Sequence, residues 1–199
     1  MKNDIKSGVK GLIFDLDGTL INSMPYHFIA WKNACQQLGL NLDIDFLKSQ
    51  TGNSNRRIAA DIINYSGMVN KVTVDQVTET KLQEFYKHEH LISLIEPVFA
   101  IAREYHGKMP MAIGTGGPKK SVERSIELTG LNKYFDIVVT ADDVQNHKPH
   151  PETFLTCAVI MGIKPEFIEV FEDGDLGIEA ALRAGMKVTD VRSWYKSDW

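Results

Sequence analysis

Nearly unbroken apolar runs recur at Val9–Phe14 (VKGLIF), Met109–Ile113 (MPMAI), Phe135–Thr140 (FDIVVT), Phe167–Phe171 (FIEVF) and Met186–Val191 (MKVTDV). A strand with one wet face alternates apolar and polar residues, whereas a strand covered on both faces does not. These runs therefore read as parallel strands buried between helices. The segments between them are helical in pattern and punctuation. Lys119–Thr129 follows Pro118 and stops before Gly130, Pro151–Met161 stops before Gly162, and Asp175–Ala184 stops before Gly185. Proline at the start and glycine past the end is the favoured asymmetry of helix termini. Alternating strands and helices predict an α/β fold, a Rossmann-like doubly wound parallel sheet.

The stretch from Ser23 to His90 breaks this rhythm. It holds no strand-like run. Phe28, Trp31, Ala34, Cys35 and Leu38 recur at helical spacing within Tyr26–Leu38, and Ile58–Ile63 and Val77–Tyr86 continue in the same style. The pattern predicts a helical domain at residues 22–93, inserted into a core made of residues 1–21 and 94–199. Its hinges would lie near Leu20–Ser23 and Ile92–Pro97.

Composition narrows the class. The 199 residues carry a net charge of −4 and are 43% hydrophobic, which suits one domain with an insertion. The basic excess of a general nucleic-acid binder is missing. No run of ~18 apolar residues predicts a membrane span. The opening MKNDIKSG has no apolar signal segment, so the expected location is the cytoplasm. Cys35 and Cys157 stand alone and read as reduced packing residues. The length is compatible with a monomer.

In open parallel sheets, ligands bind beyond the carboxyl ends of the strands. The first predicted strand delivers Asp15 and Asp17 there. The second delivers Gly114-Thr115-Gly116-Gly117, the third is followed by His147-Lys148-Pro149, and the fourth ends in Glu172-Asp173-Gly174. Clustered carboxylates repel one another. A hard divalent cation, Mg²⁺, held by Asp15, Asp17, Glu172 and Asp173 would relieve that repulsion. Thr115 and the amides around Gly116 can donate to a phosphoryl group, and Lys148 can neutralise its oxygens. This set suits phosphoryl transfer. The loop GTGGPKKS misses the GxxxxGK[ST] spacing of a nucleotide-binding P-loop.

DLDGT at Asp15–Thr19, Thr115, Lys148 in HKPHP, and EDGDLGIEAA from Glu172 resemble, in order, the motifs of the haloacid dehalogenase superfamily. The resemblance implies that Asp15 is a nucleophile forming an aspartyl-phosphate. It implies that Asp17 is the general acid and base, and also a Mg²⁺ ligand through its backbone carbonyl. The side chains of Asp15, Glu172 and Asp173 would complete the metal site. Thr115 would hold the phosphoryl group and Lys148 would steady the anionic centre. The helical insertion stands where that family places a cap domain on its catalytic core. Met24–Leu40 is similar to the first cap helix of the β-phosphoglucomutase-like subgroup, in which the histidine matching His27 controls the catalytic acid. The GTG loop, the HKP element and Asn55-Arg56-Arg57 resemble fructose-1-phosphate phosphatases of that subgroup. Gly116, His27, Arg56 and Arg57 are thus candidate substrate-binding residues.

The expected activity is Mg²⁺-dependent hydrolysis of a small sugar phosphate of the fructose 1-phosphate or 6-phosphogluconate class, and the expected partner is thus a small phosphorylated metabolite. One alternative is a β-phosphoglucomutase, whose distal-phosphate arginine aligns with Asn55 and whose Ser-Lys-Asn aligns with Gly117-Pro118-Lys119. Another is a phospho-acceptor signalling domain, disfavoured because the acid pair sits on the first strand and a long segment is inserted after it.

Overall fold

The computed structural model describes residues 5–196, so Trp199 of the aromatic C-terminal segment lies outside the described residues. Strands β1 (Gly11–Phe14), β2 (Met111–Gly114), β3 (Ile137–Val139), β4 (Ile168–Glu172) and β5 (Lys187–Asp190) form one sheet in the order β3-β2-β1-β4-β5. All four ladders are parallel. The apolar runs overshoot several strands because Val9, Met109 and Phe135 pack against the core without entering a ladder.

Helices α1 (Met24–Leu38), α2 (Ile44–Ser49), α3 (Asn55–Tyr65) and α4 (Val74–Tyr86) follow β1, and α5 (Glu96–Tyr105) leads into β2. Helices α6 (Lys119–Thr129), α7 (Glu152–Met161) and α8 (Asp175–Arg183) complete the chain. The apolar-run reading misses α2 and α5. Asp43 caps α2 by accepting from the Asp45 and Phe46 amides, while α5 has Pro97 in its first turn.

Successive side chains of a strand point to opposite faces. Leu12 and Phe14 face a core built with Val98, Ile101, Val122 and Ile126 of α5 and α6. Ile13 faces the other way, into a core with Phe154 and Cys157 of α7 and Ala180 and Ala181 of α8. The sheet is therefore wound on both sides, and its strand order reverses at β1. Loops leaving β1 and its neighbours diverge there and open a crevice.

The segment between β1 and α5 builds a core of its own from Trp31, Leu47, Ile58, Ile62 and Val77. Its two connections to the sheet run side by side. The Asn22 amide donates to the Ser93 carbonyl at 2.8 Å, and the Ile95 amide to the Leu20 carbonyl at 2.9 Å. Among the described residues, no helix is long and apolar enough to cross a membrane.

Candidate active site

The chain leaves β1 through a tight turn. The Asp15 amide still donates to the Phe171 carbonyl at 3.0 Å, and the Thr19, Leu20 and Ile21 amides then all converge on the Leu16 carbonyl. Gly18 sits at φ +86°, and a Cβ there would lie 2.3 Å from Asp173 Oδ2, so only glycine lets the turn pass the β4 terminus. The C-terminal segment packs onto this turn. The Tyr195 hydroxyl donates to the Gly18 carbonyl, and Trp194 sets its ring edge against Phe171.

At the end of β4, Glu172 Oε1 accepts from the Asp173 and Gly174 amides at 3.1 and 2.9 Å. Asp173 Oδ1 accepts from the Thr19 hydroxyl at 2.8 Å. Lys148, buried, bridges two strands: its Nζ lies 2.6 Å from Asp15 Oδ1 and 2.7 Å from Glu172 Oε2. Three buried carboxylates thus face one ammonium. Burial and the charges of Glu172 and Asp173 push the Asp15 carboxyl well above its usual range, against the pull of Lys148. Burial and Glu172 push Asp173 up to about 8. For Lys148, burial acts downward, but Asp15 and Glu172 outweigh it and hold the ammonium charged.

Asp15, Glu172 and Asp173 bring carboxylate oxygens within 4.8 Å of one another. Asp173 Oδ2 is buried without a hydrogen-bond partner. Hard oxygen donors, surplus negative charge and an orphaned carboxylate oxygen fit a divalent cation such as Mg²⁺.

The side chain of Asp17 stands apart from this cluster. Its Oδ1 accepts from the Ser23 hydroxyl at 2.5 Å and lies 3.1 Å from His27 Nε2. His27 Nδ1 in turn lies 2.8 Å from Nζ of Lys81, which is completely buried on α4. A charged Lys81 can only donate, so Nδ1 accepts and the ring proton sits on Nε2, directed at Asp17. The His27 ring stacks on Phe85 at 4.1 Å, and Lys81 lies over the Trp31 and Phe85 rings. Burial lowers the Lys81 pKa to about 7. His27 is also lowered, first by burial and then by Lys81. For Asp17, burial acts upward, but His27, Ser23 and Lys81 together outweigh it, and its pKa is lowered.

Asp15, Asp17, His27, Thr115 and Gly116 line one cavity between the sheet edge and the helical segment. Thr115 Oγ1 accepts from the Gly117 amide at 3.0 Å, which folds the loop after β2 around it. The loop Thr51–Asn53 closes over this site at very short range. A Cβ on Gly116 would lie 2.7 Å from the Gly52 carbonyl oxygen, and one on Gly174 would lie 3.1 Å from that of Thr51.

Arg56 and Arg57 are placed elsewhere than the sequence resemblance suggested. Neither lines the cavity. Arg56 pairs with Asp75 at 2.5 Å and Arg57 with Asp61 at 3.0 Å, on the exposed side of α3. The apolar stripe Ile58, Ala59, Ile62 and Ile63 turns Asn55 inward and both arginines outward. Exposed pairs of this kind contribute little. Arg56→Ala and Arg57→Ala are each expected to leave kcat/KM within about twofold, read by steady-state phosphate release. A tenfold loss would return the arginine to the site.

Sequence reasoning also missed Lys81 and Ser23. Lys81 had a legible signal: it sits four residues from both Val77 and Phe85, on the apolar face of α4.

The chain matches the family model described as haloacid dehalogenase-like hydrolase over residues 12–191. It is 40% identical over 184 residues to the fructose-1-phosphate phosphatase YqaB of Escherichia coli (strain K12), covering 92% of this chain and 96% of that protein. It is 26% identical over 189 residues to the β-phosphoglucomutase of Bacillus subtilis (strain 168), covering 92% of this chain and 83% of that one. Among solved structures, β-phosphoglucomutase from Clostridium difficile superimposes with a TM-score of 0.83 at 22% identity, covering 92% of this chain and 84% of that one. That likeness concerns the fold.

Proposed function

The chain belongs to the haloacid dehalogenase-like hydrolases, and from that premise we propose that it is a Mg²⁺-dependent phosphatase of small sugar phosphates working through an aspartyl-phosphate. The observation that carries this reading is the division of labour between the two aspartates. Asp15 faces Lys148 and the acid cluster, whereas Asp17 faces Ser23, His27 and Lys81. Two nearby acids in different environments are suited to different tasks. The similarity to a fructose-1-phosphate phosphatase supports the substrate class.

In this mechanism a carboxylate oxygen of Asp15 attacks phosphorus, and the bond from phosphorus to the sugar oxygen breaks. Asp17, once protonated against the pull of Ser23, His27 and Lys81, gives its proton to that departing oxygen, so the sugar leaves as a neutral alcohol. Asp17 then takes a proton from water as the water attacks the aspartyl-phosphate, which releases inorganic phosphate and restores Asp15. Thr115 and the loop amides after it hold the phosphoryl oxygens. Lys148 keeps Asp15 oriented and pulls it toward the anion, against burial and its acidic neighbours. Asp15, Glu172 and Asp173, with the Asp17 carbonyl, would hold Mg²⁺, which when bound offsets their charge and that of the phosphoryl group. We assign residues 22–93 as a cap that closes on the core, residues 1–21 and 94–199, and keeps bulk water from the intermediate.

The test is phosphate release from a panel containing fructose 1-phosphate, 6-phosphogluconate and β-glucose 1-phosphate, with Mg²⁺ or with chelator. The expected result is metal-dependent release, lost on chelation and restored by Mg²⁺. Formation of glucose 6-phosphate from β-glucose 1-phosphate, with no free phosphate from any ester, would make the chain a mutase instead.

A further inference from the structure

The proposed activity leaves open what the sugar end of the substrate carries. Among the described residues, the charged side chains lining the cavity are Asp15 and Asp17, both at the reacting end, with His27 beside them. The remaining polar lining is neutral. Gln50, Asn53 and Asn55 come from the helical segment, and Ser121 and Ser125 come from α6. These groups are set in place rather than loose: the Asn53 amide donates to Gln50 Oε1 at 3.2 Å, and both serines are buried. Between them lie apolar surfaces of Trp31, Leu47, Ile58 and Val122.

Four cations of the site and of helices α3 and α4 are held away from this wall. Lys148 is held between Asp15 and Glu172. Lys81 sits behind the wall, on His27 and, at 3.5 Å, on Asn55 Oδ1. Arg56 and Arg57 point to solvent, into their own ion pairs.

Building on the proposed phosphatase reading, we infer that the cavity selects an uncharged polyhydroxy leaving group and rejects sugar phosphates that carry a second anion. Neutral amides and hydroxyls alternating with apolar patches match a sugar, which has hydroxyl edges and C–H faces. A second phosphate or a carboxylate entering the same wall would lose water and meet no lysine or arginine among the described lining residues, which is costly. It would also meet the field of the acid cluster. Of the two substrate classes that the sequence reading left open, the wall favours the ketose monophosphate over the phosphorylated sugar acid.

Two matched pairs test this. Fructose 1-phosphate and fructose 1,6-bisphosphate share one ester and differ by a distal phosphate. Sorbitol 6-phosphate and 6-phosphogluconate differ by a carboxylate. At 0.15 M salt with Mg²⁺, kcat/KM is expected to be about 100-fold lower for the bisphosphate and about tenfold lower for the sugar acid. Ser125→Arg, which puts a cation into the wall, is expected to narrow the bisphosphate ratio by about tenfold. Gln50→Lys serves the same purpose if that protein fails to fold.

Dissociation constants of the four esters, measured by calorimetry on Asp15→Asn protein, give a second readout that needs no turnover. Ratios near one in both rate and binding overturn the inference while leaving the phosphatase reading intact. Selective binding with no phosphate released from any ester overturns the phosphatase reading and leaves the selectivity standing.

Discussion

Asp15→Asn is expected to abolish turnover, by about 10⁴-fold or more in kcat, while the protein stays folded. Asparagine fills the same volume, and its carbonyl oxygen still accepts from Lys148, which keeps its second partner in Glu172. What disappears is the anionic oxygen that attacks phosphorus in the proposed mechanism. The same substitution has a stability signature. In the metal-free protein the folded-state pKa values of Asp15 and Asp173 lie above those of an unfolded chain, Asp173 at about 8. Between the ordinary carboxylate range and those raised values, the folded state binds more protons than the unfolded one. Stability must therefore fall as pH rises through that window. The chelated parent is expected to lose melting temperature from pH 5 to pH 8, Asp15→Asn to lose less, and Mg²⁺ to restore the parent. Phosphate release and calorimetric melts read both arms. Turnover within tenfold of the parent would remove Asp15 as nucleophile.

Lys81→Met is expected to lower kcat by about 100-fold although Lys81 stands behind His27, one residue from the proposed reacting groups. With the ammonium gone, nothing fixes His27 Nδ1 as an acceptor, and the imidazole proton is no longer committed to Asp17. The loss falls on kcat more than on KM, and the acidic limb of the kcat–pH profile moves, which a merely structural lysine would not cause. The melting profile carries the opposite sign to that of the acid cluster. The pKa of Lys81 is about 7 in the folded protein, below its ordinary 10.5. Between those values the unfolded chain binds the additional proton, so stability rises with pH across that window and carries the full cost of the buried charge below it. Parent protein is expected to gain melting temperature from pH 7 toward pH 10 relative to Lys81→Met. Parallel melting profiles over that range, with kcat unchanged, would reduce Lys81 to packing.

The parts of the fold legible in the sequence are those where chemistry and punctuation coincide. Acids, a glycine loop and a lysine follow apolar runs, and each run ends at the same edge of the sheet. The sheet order had no such marker; it follows from ladders between strands far apart in the chain. Helix α5 was hidden because its first turn coincides with the expected hinge, although Pro97 and the buried stripe Val98, Phe99, Ile101, Ala102 declare it. Arg56 and Arg57 lie outside the cavity that Asn55 lines, since neighbouring residues on a helix face different directions. Lys81 was passed over for another reason. A lysine is ordinarily a solvated charge, and only contacts from a distant helix show that this one is not.

The contact between the Gly116 and Gly174 backbones and the Thr51–Asn53 loop has a practical side. The chamber shuts main chain against main chain, like a lid on a gasket one hydrogen atom thick. A methyl group at Gly116 would act as a wedge, and one at Gly174 would press on the same loop more gently. Under the proposed closure, alanine at Gly116 is expected to hold the chamber ajar, which offers a means of trapping an open form for crystallography. Libraries meant to admit bulkier esters would begin at the same two positions.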